Sequence, residues 1–174
     1  MLNPSPLIES HQLAPDECFP NNPDLPLLLF RQALDKTTEV VANDVEKLLH
    51  VRGWGGTWQN GIFSYHHYHS NAHEVLVVCA GHARVQFGGP HGPIVSVTAG
   101  DIALLPAGTA HKQVEASTDF LVIGGYPPGQ EDYDVIRDDP SAKAAAERRI
   151  AKVALPLSDP LYGDSGPLLQ YWTL

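Results

Sequence analysis

The chain has 174 residues, of which 43% are apolar and 18% charged, the size of one domain with enough apolar matter to fill a core. Eleven Lys and Arg stand against 20 Asp and Glu, a net charge of −9 that repels phosphate backbones and anionic lipid, so neither nucleic acid nor membrane is an expected partner. Two cysteines, Cys18 and Cys79, are too few for a disulfide framework or an iron–sulfur cluster, and the opening MLNPSPLIES lacks the basic and apolar runs of a secretion signal, so a cytoplasmic chain is expected.

Residues 1–28 carry six prolines (Pro4, Pro6, Pro15, Pro20, Pro23 and Pro26), which read as an extended arm rather than a packed element, although LPLLLF at 25–30 requires burial. A helix is predicted over 38–50, with Val41, Val45, Leu48 and Leu49 on one face and Asn43, Asp44, Glu46 and Lys47 on the other. Gly53, Gly55 and Gly56 end it. From 57 to 125, short apolar runs alternate with turn residues at about ten-residue intervals, the spacing of a sandwich or small barrel. Eight strands are predicted there: 57–60, 62–69, 74–80, 82–88, 94–98, 102–105, 110–114 and 119–125. A second helix is predicted over 141–152, with Ser141 as its cap and Ala144, Ala145 and Ala146 in its body. The tail from 155 reads as loop.

Three segments follow: an arm and helix packing on the barrel (1–56), the barrel (57–125), and a lid loop, helix and tail (126–174). VLVVC at 75–79 is apolar on both faces, so something must cover the outside of its sheet. The arm, the first helix or a second copy of the chain could do so, and with the proline-rich arm this predicts a homodimer.

Nine histidines are many for this length, and four polar residues carry the chemistry. His67 and His69 sit two apart on a predicted strand and therefore share a face. Glu74 opens the next strand, and antiparallel neighbours bring such positions within reach of one another. His111 begins a later strand after the Pro106-Ala107-Gly108 turn. Three imidazoles and one carboxylate suit a divalent transition metal: Fe, Mn, Ni, Co, Cu or Zn. The alternative is a buried polar network without metal, but each group left unsatisfied would cost about 1–3 kcal/mol, which favours a cation.

With these residues in place the sequence resembles the cupins, small jelly-roll barrels (a double-stranded β-helix, also called RmlC-like). Their first motif is matched by Gly61, His67, His69, Glu74 and Gly81. Their second is matched by Gly100, Pro106, Gly108 and His111, while Glu115 stands where the family usually has Asn. The arm NNPDLPLLLF, the segments GWGGTWQNGIF and HHYHSNAHEVL, and the ending GPLLQYW resemble a group of uncharacterised bacterial single-domain cupins. The resemblance implies an all-β barrel holding one metal on His67, His69, Glu74 and His111.

Around this centre, His66 points away from His67 on the predicted strand, and His73 lies in the turn beside Glu74, at the rim or on the surface. His82 and His91 read as solvated. Trp54 and Trp58 are expected to pack the helix onto the barrel, with a ring stacking on a ligand as the lesser alternative, and Cys79 to be a small buried hydrophobe. The segment YPPGQEDYD at 126–134 is either a lid over the barrel mouth or a solvated loop. For proton transfer the candidates are Glu115, His73 and Tyr126, with Asp132 beside them.

Four protein ligands leave two positions of an octahedron for substrate and O₂ or water. The favoured expectation is a dioxygenase-like enzyme acting on a small oxygenated molecule. The alternatives are a metal-dependent isomerase or decarboxylase of a small sugar or acid, a protein that binds a small molecule or metal without turnover, and a closed structural metal site.

Overall fold

The computed structural model describes residues 2–35 and 41–173. Among them nine strands form two antiparallel sheets: β1 (Leu7–His11), β2 (Leu27–Arg31), β3 (Gly55–Asn60), β4 (Glu74–Ala80), β5 (His82–Phe87), β6 (Ile94–Thr98), β7 (Ile102–Leu105), β8 (His111–Ala116) and β9 (Leu121–Tyr126). The larger sheet runs β1-β2-β7-β4-β9-β3 and the smaller β6-β5-β8. The fold is all-β in the jelly-roll manner, with three short helices, α1 (Ala42–Val51), α2 (Lys143–Ile150) and α3 (Leu168–Tyr171). No helix among the described residues is long and apolar enough to cross a membrane.

Seven of the eight predicted strands and both predicted helices are present within a few residues of their expected bounds; positions 38–40 of the first helix lie outside the described residues. Three expectations need correction. The arm is not merely extended: it supplies β1 and β2, which pair with each other and, through β2, with β7. Its prolines flank these strands and none falls within them, so no ladder donor is lost.

The strand expected over 62–69 does not form. Gln113 N–H donates to the Phe63 carbonyl and His67 exchanges two backbone bonds with His111, so residues 64–66 stand opposite Lys112 alone and a regular ladder cannot continue. Only His67 and Tyr68 keep bridges, to His111 on one side and to Ile136 on the other. Ser141 does not cap α2. Its hydroxyl and backbone N–H both bond to Asp139 Oδ1, and the helix starts after Ala142 with no side-chain cap.

Side-chain alternation along β4 divides the interior. Leu76 and Val78 face the space between the sheets, with Leu27, Leu29, Val85, Phe87 and Val122. Val75, Val77 and Cys79 face the other way, into a second core with Val45 and Leu49 of α1, Trp54, Leu161, Leu168 and Trp172. The outside of the doubly apolar strand is thus covered from within the chain, by α1 and the C-terminal tail, and supplies no reason for a second copy. The tail is irregular, as expected, apart from α3. Buried Asp159 organises it by accepting bonds from the backbone N–H groups of Leu161, Tyr162 and Leu168. Trp54 does pack the helix side of the sheet, with its indole N–H donated to the Ser158 carbonyl.

Because Leu49 is fully buried against Val75 and Val77, Leu49→Ala is expected to cost about 2–5 kcal/mol in urea denaturation, whereas Val51→Ala, at 79% exposure on the same helix, should stay within about 0.5 kcal/mol of the parent.

Candidate metal centre

Glu74 opens β4, His111 opens β8, and Tyr126 closes β9, which runs antiparallel to β4. The three positions therefore meet at one end of the space between the sheets. The His67–His111 bridge fastens the irregular segment that carries His67 to β8 at that end. His69 is fixed from both sides: its carbonyl accepts from Gly108 N–H, and its ring bonds to the Asp134 carbonyl. His67, His69, Glu74 and His111 are all buried.

The geometry fixes the tautomer of each imidazole. His67 Nδ1 lies 3.1 Å from the Tyr65 carbonyl, His111 Nδ1 lies 3.0 Å from the Thr109 carbonyl, and His69 Nδ1 meets the Asp134 carbonyl. A carbonyl only accepts, so each Nδ1 carries a proton, and in its neutral form each ring presents a lone pair at Nε2. The ligating atoms of the three rings lie within 4.8 Å of one another. Glu74 Oε2 sits 3.2 Å from His69 Nε2 and 3.3 Å from His111 Nε2, yet makes no hydrogen bond of good geometry.

Acceptors thus converge on acceptors, an arrangement that a cation between them satisfies. Rings anchored through Nδ1 to backbone carbonyls are oriented as metal-bound histidines are. The residues present fit a divalent metal of the kind that takes nitrogen and oxygen donors.

Where no ion is bound, a proton would take its part, because Glu74 and His69 favour each other's charged forms. Burial pushes His67 down to about 3, so it is neutral at ordinary pH and free to ligate. Burial disfavours the charged form of His69, but the Glu74 carboxylate outweighs this and raises its pKa. Burial alone would raise Glu74, whereas the imidazoles of His69 and His111 beside it bring it well below the ordinary carboxylate range.

A cavity of about 510 Å³ opens from the centre. Trp58, Ile62, Phe63, Leu76, Tyr126, Tyr133 and Val135 give it apolar and aromatic walls, and Gln59, Asn60 and Gln113 add amides; no Lys or Arg lines it. Behind the lining, Tyr65 stacks on Phe63 with centroids 4.9 Å apart, and Arg137 lies over the Tyr65 ring at 3.8 Å.

Of the proton-transfer candidates, only Tyr126 reaches this cavity. Glu115 faces outward on β8 and pairs with exposed Arg84 at 3.3 Å, so the position that departs from the second motif does not touch the centre. His73 is neither at the rim nor on the surface. It is buried beneath Trp172, with ring centroids 4.9 Å apart, its Nδ1 accepts from Ala107 N–H, and burial pushes it down to about 4. Asp132 is exposed, and its carbonyl accepts from the Asn71 side chain. His66 is half-buried against Phe19, and Cys79 is a buried thiol pushed up to about 12 by burial.

Trp58 lines the cavity, the lesser of the two alternatives its sequence offered, and the 126–134 segment was open between lid and solvated loop. That segment is bound down over the mouth. Tyr133 stacks on Tyr126 at 4.0 Å, Gln130 accepts from His73 N–H, and Asp134 accepts from the backbone N–H and the hydroxyl of Ser70. The period-2 parity of β3 could have placed Trp58 inward, but the glycines around it obscure the pattern.

A cupin family model matches residues 37–127. Over 157 residues the chain is 40% identical to "Uncharacterized protein YjlB" of Bacillus subtilis (strain 168), covering 90% of this chain and 92% of that one. The chain therefore belongs to the cupins. Solved structures are more distant. A conserved protein with a double-stranded beta-helix domain from Klebsiella pneumoniae subsp. pneumoniae MGH 78578 is 14% identical, covering 78% of this chain and 87% of that one at a TM-score of 0.38. Procruciferin, an 11S globulin from Brassica napus, is 20% identical over 47% of this chain and 21% of its own length, with a TM-score of 0.38, so the chain spans about a fifth of that protein.

Asp134 holds the His69 segment through Ser70, and Arg149 Nε donates to the Ser70 hydroxyl at 2.6 Å. Asp134→Ala is expected to lower stability by about 1–3 kcal/mol in urea denaturation, more than Asp132→Ala does, because it strands the hydroxyl proton and N–H of buried Ser70.

Proposed function

We propose that this chain is a metal-dependent cupin enzyme that acts on a small oxygenated molecule at a mononuclear centre of His67, His69, His111 and Glu74. The observation that carries the reading is the common tautomer: three Nδ1–H groups are spent on backbone carbonyls, so the neutral rings bring three Nε2 lone pairs and one carboxylate oxygen together, a set that calls for a positive charge among them. A divalent transition ion held there supplies Lewis-acid polarisation of a substrate oxygen and, where the ion is redox-active, activation of O₂. The donor set admits Fe, Mn, Ni, Co, Cu or Zn.

The chain's own residues set the rest. The adjoining cavity speaks against a purely structural metal, because a closed structural site leaves no room for a ligand. A 2+ ion less one carboxylate leaves net positive charge that draws a chelating or anionic head despite the acidic surface. With no Lys or Arg in the lining, the rest of the substrate is best uncharged, flat enough to lie among Trp58, Phe63 and Tyr133, and able to hydrogen-bond Gln113 or Asn60. The covering 126–134 segment limits water at the centre.

An oxygen-dependent, dioxygenase-like reaction is the first reading; oxygen-independent isomerisation or decarboxylation at the same centre is the second. The purified chain is expected to carry about one equivalent of metal, measured by elemental analysis, and His111→Ala and Glu74→Ala should each lose most of it while remaining folded. Unchanged metal content in both variants would refute the assignment. Metal-dependent oxygen uptake with diols, thiols or keto acids then separates the oxygenase from the isomerase.

A further inference from the structure

We propose that Trp58, acting through Tyr126, is a positioning residue that holds Glu74 to a single donor oxygen at the centre. The inference rests on the metal reading above and deepens it. The direction of the hydrogen bonds follows from the groups themselves. An indole N–H only donates, and Trp58 Nε1 lies 2.9 Å from the Tyr126 hydroxyl. That hydroxyl accepts from the indole, so its one proton turns to Glu74 Oε1, 2.8 Å away. Oε1 is thereby engaged from the wall of the cavity, while Oε2 faces His69 Nε2 and His111 Nε2. A carboxylate with both oxygens free can take a cation through two; with one committed it offers one, and leaves a coordination position for substrate.

Two features show that the fold is built to hold this chain of bonds. Trp58 lies opposite Gly124 in the β3–β9 pairing, and a Cβ on Gly124 would sit 2.0 to 2.4 Å from three atoms of the indole. Only glycine there lets the ring lie flat on β9. Tyr133 stacks on the Tyr126 ring with planes 19° apart, which holds the phenol plane from the other side. Trp58, Tyr126 and Glu74 stand on β3, β9 and β4, three adjacent strands, so their spacing is set by the ladder rather than by a loop.

The test titrates the metal-free full chain with cobalt(II), whose visible bands report coordination. Trp58→Phe and Tyr126→Phe should each weaken cobalt binding about tenfold and change the visible spectrum, and the double variant should lose no more than the weaker-binding single one. Gly124→Ala, which keeps all three polar groups, should reproduce Trp58→Phe; should it fail to fold, the two Phe variants still decide. Affinities within about twofold of the parent in both Phe variants, or losses that multiply in the double variant, overturn the proposal.

The bond chain also has a readout without metal. The indole N–H signal that disappears in Trp58→Phe should exchange about tenfold faster in Tyr126→Phe. An unchanged exchange rate overturns the proposal, whereas a parent chain that takes up no cobalt while this exchange does change overturns the metal reading instead.

Discussion

The centre depends on where three protons are placed. Each Nδ1 proton of His67, His69 and His111 is given to a backbone carbonyl, and this turns three rings into acceptors aimed at one point. Two of those carbonyls, Tyr65 and Thr109, stand two residues before the histidine they hold, so the ring is oriented by its own local backbone. The third, from Asp134, comes from the covering segment. The centre is therefore complete only when that segment is docked, and docking and ligand geometry become one event.

The barrel supplies what local backbone cannot. Glu74 enters because β4 alternates: the same parity that sends Leu76 and Val78 into the space between the sheets brings Glu74 to its end. His111 comes from the other sheet, and its backbone bridge to His67 fixes the spacing of those two histidines. The outward parity of β4 then needs a partner, which α1 and the tail provide. Trp172 belongs to that cover, donates its indole N–H to the Pro26 carbonyl, and packs at a tilt against His73, one residue before Glu74. The tail thus braces the strand that carries the carboxylate.

Much of this was legible in the chain itself. The turn residues located the strands of the barrel because Gly, Pro, Asn and Asp dictate backbone conformation locally, and the ligand spacing survived even though the strand expected to carry His67 and His69 did not form. Two residues on one side of an extended stretch share a face whether they pair over eight positions or over two. What escaped was long-range. Nothing near Leu7 or Leu28 says that the arm will add two strands, because an edge strand is defined by its partner. Glu115 and His73 were placed by proximity in sequence to ligands, whereas burial and register put the first on the outer surface and the second beneath the tail. Trp58 acquires its role from Gly124 and Tyr126, both more than sixty residues away.

On the proposed reading the cation is also part of the fold. A buried carboxylate facing two buried imidazoles is costly while the rings are neutral, because desolvation is not returned by any good hydrogen bond to Oε2. A ligand that binds only the folded state stabilises it by about 4 kcal/mol when present at a thousand times its dissociation constant. That is comparable to the whole cost of deleting a large core side chain such as Leu49. The end of the barrel where the sheets meet is then held by coordination, where the other end is held by apolar packing of Val85, Val97 and Val122. A site assembled from two sheets and a docked segment can be open to substrate and still rigid for that reason: the same ion that would do the chemistry fastens the elements that position it.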